Sequence, residues 1–333
     1  VEYIDGPSLV IAGAGSGKTR VLTYKIAYLV QQNEDLNSLL VLTFTNKAAR
    51  EMVRRFSALL GDEFVGRQPY MGTFHSVFAR ILHSGNAEKI GVGYYSNFTI
   101  YDEADSRSQI KAIVKSLQLD ERTYKPALVH GIISKAKNNL QDPAKFLDSH
   151  SGEFDKYKGL NYESLYNIYV EYEQRCRSAN VMDFDDLLYY TYVLFADKSN
   201  GVCRHYASVF KYILVDEYQD TNRLQQKILS LIYEEMPKKR ICVVGDDAQS
   251  IYAFRGAEVN NILNFCDEFK NKRGQNAALF KLEQNYRSTQ TIVEAANSLI
   301  RHNRNQIPKD VFSENTKGEK IQYKPAYSDK EEA

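Results

Sequence analysis

Four short apolar runs, at 8–11, 39–44, 212–215 and 241–244, each end in a cluster of small, hydroxyl-bearing or acidic residues. None alternates between apolar and polar positions, so each predicts a central strand of a parallel sheet covered on both faces. A fifth strand is expected at 278–282. Ligands of open α/β sheets bind beyond the carboxyl ends of the strands, so the polar clusters are expected to meet along one edge. From about 81 to 190 the pattern changes to amphipathic helices, for example 105–117 and 162–177, rich in Tyr and Lys. The predicted fold is therefore α/β, a mostly parallel sheet with flanking helices that carries an inserted helical subdomain. Tyr162, Tyr166, Tyr169 and Tyr172 fall on neighbouring positions of one helix, which reads as packing. A last helix at 292–300 precedes a polar tail with Pro308, Gly318 and Pro325, and Asp329-Lys330-Glu331-Glu332 reads as a solvated charge run.

Composition narrows the picture in a few places. The 333 residues are enough for two or three domains. Lysine and arginine total 43 against 42 aspartate and glutamate, so nucleic-acid binding would have to come from a local groove. Cys176, Cys203, Cys242 and Cys266 show no paired spacing and read as reduced thiols of a cytoplasmic protein. No stretch reaches the about eighteen consecutive apolar residues of a membrane span, and no membrane partner is expected. The chain opens at Val1, a short way before its strongest motif, and reads as an excised fragment.

That motif is Ala12-Gly13-Ala14-Gly15-Ser16-Gly17-Lys18-Thr19, a strand end, a glycine-rich turn and a helix start. Small residues let the backbone curl until several N–H groups converge on phosphates, and the helix adds its positive dipole end. Lys18 supplies a point charge for the β- and γ-phosphates of ATP, and the Thr19 hydroxyl suits Mg²⁺. Alanine stands at Ala12 where the strict pattern has its first glycine. The run 213–215 then delivers Asp216 and Glu217, one carboxylate to hold Mg²⁺ and one to orient and deprotonate an attacking water. Gln249, after the run 241–244, both donates and accepts, as a γ-phosphate sensor requires. Arg287 follows the fifth strand and could act as an arginine finger, with Tyr286 stacking on adenine.

A second pattern interleaves aromatic rings with donors to phosphate. Phe44 and Asn46 follow one strand end, Thr73, Phe74 and His75 another, and Tyr252, Phe254 and Arg255 lie just beyond Gln249. Rings stack on bases while hydroxyls, amides and arginine hold the backbone of a single strand. Burial in the core is the competing reading for Tyr252 and Phe254. His75 has no His or Cys at metal-ligand spacing, so no metal is assigned to it.

Taken in order, AGAGSGKTR, TFTNKAA, GTFHS, VDEYQD, GDDAQSIYAFRGA and LEQNYRS resemble the motifs of superfamily 1 UvrD/Rep/PcrA-type DNA helicases. The resemblance implies a RecA-like P-loop NTPase domain 1A in two parts, 1–82 and 191–275, around a helical 1B insertion at 83–190. It also implies the start of an incomplete domain 2A at 276–333. The implied activity is ATP-dependent 3′–5′ translocation on single-stranded DNA with unwinding at duplex junctions, and a role such as DNA repair. By position, Lys18, Glu217, Gln249 and Arg287 would be catalytic, Thr19 and Asp216 would hold the metal, and Arg20 with Tyr286 would sandwich adenine. Phe44, Asn46, Thr73, Phe74, His75, Tyr252, Phe254 and Arg255 would line the DNA track, Phe254 standing where relatives often carry tryptophan. Met182-Asp183-Phe184-Asp185-Asp186-Leu187 resembles a further signature, read as structural. The carboxyl-terminal motifs are not in this sequence, so weak hydrolysis and no unwinding are expected of residues 1–333, with Arg287 loosely held. Two alternatives stay open: the motor of a RecB/AddA-type helicase–nuclease, and a nucleotide-gated DNA-binding module without productive hydrolysis.

Overall fold

The computed structural model describes residues 1–61, 70–148 and 160–328; the charge run at 329–332 lies outside them. Its main sheet has six strands: β1 (Ser8–Ala12), β2 (Leu39–Thr43), β3 (Met71–Thr73), β6 (Tyr212–Val215), β7 (Ile241–Gly245) and β8 (Ala278–Leu282). The order is β3-β2-β6-β7-β1-β8 and every pairing is parallel. Two further strands, β4 (Thr99–Ile100) and β5 (Val181–Met182), pair parallel at the root of the insertion, an element the apolar pattern was too short to announce.

The unalternating runs are explained by two cores, one on each face. Leu9, Ile11, Leu40, Leu42, Ile213, Val215 and Val243 point to a core shared with helices Phe74–His83, Phe184–Ala196 and Arg223–Glu235. Val10, Val41, Leu214 and Val244, the alternate positions, meet Leu22, Ile26 and Leu29 of helix Lys18–Gln31 and Met52 and Phe56 of helix Asn46–Leu60. Each such side chain contributes about 1.5–3 kcal/mol by leaving water, so the buried register of the strands is strongly determined. Strand β8 differs. It lies at the edge and is mostly exposed along its length, yet pairs with β1 from Ser8↔Ala278 to Ala12↔Leu282. Its backbone hydrogen bonds to β1 make it the sixth strand of the sheet, at the run expected for a strand.

A separate helical core contains Ile110, Ile113, Val129, Ile133, Phe146, Ile168, Tyr169 and Tyr172, with Tyr162 and Tyr166 packed against it. The tyrosine row of helix Tyr162–Ser178 is thus a packing face. This core lies inside the expected 83–190, but Leu187, Leu188, Tyr190 and Leu194 already belong to the core of the main sheet. The Met182–Leu187 signature makes that junction. Asp183 caps helix Phe184–Ala196 in a reciprocal box with Asp186. Lys137 Nζ reaches Glu173 at 2.9 Å, Asp183 at 2.9 Å and Asp186 at 2.6 Å, all almost wholly buried. Burial, reinforced by Asp183, pushes the Asp186 carboxyl well above the usual carboxylate range. Tyr190 and Tyr172 donate to Glu173 and Asp183 at 2.7 and 3.0 Å.

Candidate functional site

The carboxyl ends of β1, β6 and β7 open onto one cleft of about 760 Å³. Beyond Ala12, Gly15 and Gly17 adopt φ of 76° and 94°, a left-handed backbone that suits glycine. A Cβ on Gly15 would also come within 2.7 Å of the Arg287 Cβ. The Ser16 hydroxyl closes the turn by donating to the Gly13 carbonyl at 2.7 Å. Helices Asn46–Leu60, Phe74–His83 and Arg223–Glu235 are capped by Thr45, Thr73 and Asn222, whereas Gly17 brings no side-chain cap to helix Lys18–Gln31. Its first-turn N–H groups therefore remain available to an anion.

Gly13, Ala14, Lys18, Thr19, Arg20, Glu217, Gln249, Tyr286 and Arg287 line this cleft together. Lys18 Nζ lies 3.5 Å from Glu217 Oε2, and the Thr19 hydroxyl donates to Asp216 Oδ2 at 3.4 Å. Asp216 is 2% exposed, and burial followed by the neighbouring Glu217 raises its carboxyl to about 6. Glu217 itself sits at φ 48°, a conformation costly for a residue with a Cβ and one that turns the chain sharply at the end of β6. A buried carboxylate held beside a hydroxyl at the base of a phosphate-type loop fits Mg²⁺, which favours hard oxygen ligands.

Three residues knit these groups together. Gln219 Nε2 donates to Glu217 Oε2 at 2.9 Å while its Oε1 accepts from Asp246 N at 3.0 Å. Asp246 Oδ2 in turn accepts from Gln249 Nε2 at 2.5 Å. Asn285 donates to the Ala14 carbonyl at 2.7 Å and accepts from the N–H groups of Arg287 and Ser288, while Tyr286 N donates to the Gly15 carbonyl at 3.0 Å.

Next to this cleft lies another, of about 890 Å³, lined by Phe44, Thr45, Asp220, Ile251 and Tyr252 and again by Glu217 and Gln249. Phe44 and Tyr252 have ring centroids 5.2 Å apart, and Tyr252 and Phe254 5.9 Å. Phe254 is 78% exposed, which removes the core reading for that ring. Asn46 is exposed at the first turn of its helix. His75 is half-buried, edge-on to Phe184 at 5.8 Å, and burial pushes its imidazole down against the opposing pull of Asp185.

Residues 1–270 match the family model described as the UvrD/REP helicase N-terminal domain, and 280–333 match the UvrD-like helicase C-terminal domain. The chain belongs to the UvrD/REP helicase family. It is 42% identical over 337 residues to the ATP-dependent DNA helicase PcrA of Leuconostoc citreum, covering 100% of this chain and 42% of that protein. Against the Staphylococcus aureus (strain Mu50 / ATCC 700699) PcrA the identity is 41% over 334 residues, covering 100% and 43%. For Bacillus subtilis (strain 168) PcrA it is 42% over 324 residues, covering 97% and 41%. The chain thus spans about two fifths of the length of these relatives.

Several expectations from the helicase motifs need correction. Phe74 is 2% exposed and packs with Phe78 in the core, so it has no face to offer a base. Thr73 is 9% exposed and its hydroxyl oxygen accepts from Ser76 N at 3.2 Å, which makes it a helix cap. Arg20 shares the first cleft with Tyr286, but its guanidinium lies over the Tyr24 ring at 5.4 Å. The turn that carries Arg287 is bound to the glycine-rich loop through Asn285 and the Tyr286 N–H. The backbone at Arg255 closes a short turn with Ala253; its side chain lies outside the described residues. Reading the sequence also left Arg55, Gln219 and Asn285 without roles, although Arg55 lines the first cleft. For Gln219 and Asn285 the only signal was their place inside the motifs. Among the described residues no helix is long and apolar enough to cross a membrane.

Proposed function

We propose that this chain is the ATP-hydrolysing portion of a 3′–5′ single-stranded DNA translocase and helicase. One observation carries the reading: Glu217 and Gln249 line both the glycine-rich cleft and the aromatic cleft beside it. A change at the γ-phosphate can therefore reach the DNA face through two side chains. Lys18 and the loop N–H groups bind the triphosphate of ATP, and Thr19 and Asp216 would hold Mg²⁺. When bound, the ion neutralises charge on the phosphate oxygens. Glu217 orients the attacking water and takes its proton, and Arg287 and Gln249 meet the charge that develops on the γ-phosphate. Tyr286 stacks on adenine. Phe44, Tyr252 and Phe254 present rings to successive bases, with Asn46 donating to the backbone. The relatives' description as ATP-dependent DNA helicases favours this over a helicase–nuclease motor or a binding module without hydrolysis. Of the domain scheme, we retain a nucleotide-binding domain interrupted by the helical insertion, with the second domain beginning after β8.

Strand displacement by the full-length protein tests the direction. A duplex with a 3′ single-stranded tail is expected to be unwound and one with only a 5′ tail left intact; the opposite preference would overturn the assignment. Tyr252→Ala and Phe254→Ala are each expected to weaken single-stranded DNA binding by about 1–3 kcal/mol with little base preference. Thermal melting run alongside should be unchanged. A large drop in Tm accompanying the lost affinity would return the ring concerned to a packing role.

A further inference from the structure

The segment 307–312 runs between the turn that carries Gln249 and the turn that carries Arg287. At one end Ile307 N donates to Asp247 Oδ2 at 3.0 Å, and Lys309 Nζ lies 2.9 Å from both Asp246 Oδ1 and Asp247 Oδ1. At the other end Phe312 N donates to the Glu283 carbonyl at 2.9 Å and its own carbonyl accepts from Asn285 N at 2.7 Å. The ion cluster is deeply buried, with the lysine side chain 5% exposed and the two carboxylates 4% and 1%. Buried ion pairs of this kind add little stability over apolar packing, and their best-attested use is to fix one arrangement against others. The arrangement fixed here is specific. Asp246 uses Oδ1 for Lys309 and for the Ala248 N–H at 3.2 Å, and Oδ2 for the Gln249 amide, so the ammonium and that N–H together set the carboxylate plane that aims Gln249 into the cleft.

We infer that Lys309 is a positioning residue for ATP hydrolysis, acting through Asp246 to hold Gln249 in register with Arg287. The inference rests on reading the glycine-rich cleft as the ATP site. Lys309 does not line that cleft, so its effect falls on turnover more than on ATP binding.

The test is DNA-stimulated ATPase of the full-length protein. Lys309→Met is expected to lower kcat about 10²-fold, the scale of a displacement of about 1 Å in a catalytic group, with KM for ATP within about threefold. Lys309→Arg should recover most of the loss. Lys309→Met with Asp247→Asn removes one of the two buried carboxylates left without the ammonium, and is expected to recover part of Tm but not kcat. In a Gln249→Ala background, Lys309→Met should cost less than about twofold, because the group it positions is gone. Equal losses in both backgrounds, or recovery of kcat together with Tm in the double variant, would overturn the inference. A parental kcat for Gln249→Ala alone would instead overturn the reading of the site itself; an impaired Gln249→Ala beside a parental Lys309→Met would sink only the positioning role.

Discussion

Glu217→Gln in the full-length protein is expected to lower DNA-stimulated ATP hydrolysis about 10²–10⁴-fold, the contribution of a positioned general base, while ATP is still bound. The geometry gives the reason. Glu217 stands at the end of β6 on a left-handed residue, with Oε2 3.5 Å from Lys18 Nζ and accepting from Gln219 Nε2 at 2.9 Å. Glutamine preserves the shape and loses both the proton acceptor and the charge. Lys18→Ala should also abolish hydrolysis, but together with nucleotide affinity, since its ammonium is one of the positive charges lining the glycine-rich cleft. Equilibrium binding of a fluorescent ATP analogue separates the two variants. Parental turnover by Glu217→Gln would show that another group activates the water, and Asp220, whose carboxyl is raised to about 6 by burial and then by Glu217, would be the next to replace.

Arg287→Ala is expected to cost about 10³–10⁵ in the single-turnover rate of hydrolysis, the range of an arginine finger, with a much smaller effect on ATP affinity. The size of this effect depends on how firmly Arg287 is held. Asn285 binds the Ala14 carbonyl with its amide N–H and the Arg287 and Ser288 N–H groups with its oxygen, so the turn is tied to the glycine-rich loop. Asn285→Ala should therefore reproduce part of the Arg287→Ala loss without removing the guanidinium. A parental rate for Arg287→Ala would mean that the charge developing on the γ-phosphate is met from elsewhere in the full-length protein.

Much of the architecture was legible in the order of the residues. The runs that became β1, β2, β6 and β7 were found to within a residue, because strands covered on both faces must be continuously apolar. The glycine-rich turn, Asp216, Glu217 and Gln249 were legible for the same local reason, each closing one of those runs. Other features depend on which distant segments meet. Phe44 and Phe74 both follow a strand, yet one lies beside Tyr252 in an open cleft and the other is sealed against Phe78. Asn285 and Ala14 lie 271 positions apart, and Lys309 and Asp247 lie 62 apart. An apolar run or a glycine turn is selected by the chain's own geometry and by water, so its signature is local. A cap, a buried ion pair or the orientation of an amide is selected by a partner that arrives only when the sheet closes, and that information is spread over both segments rather than written in either.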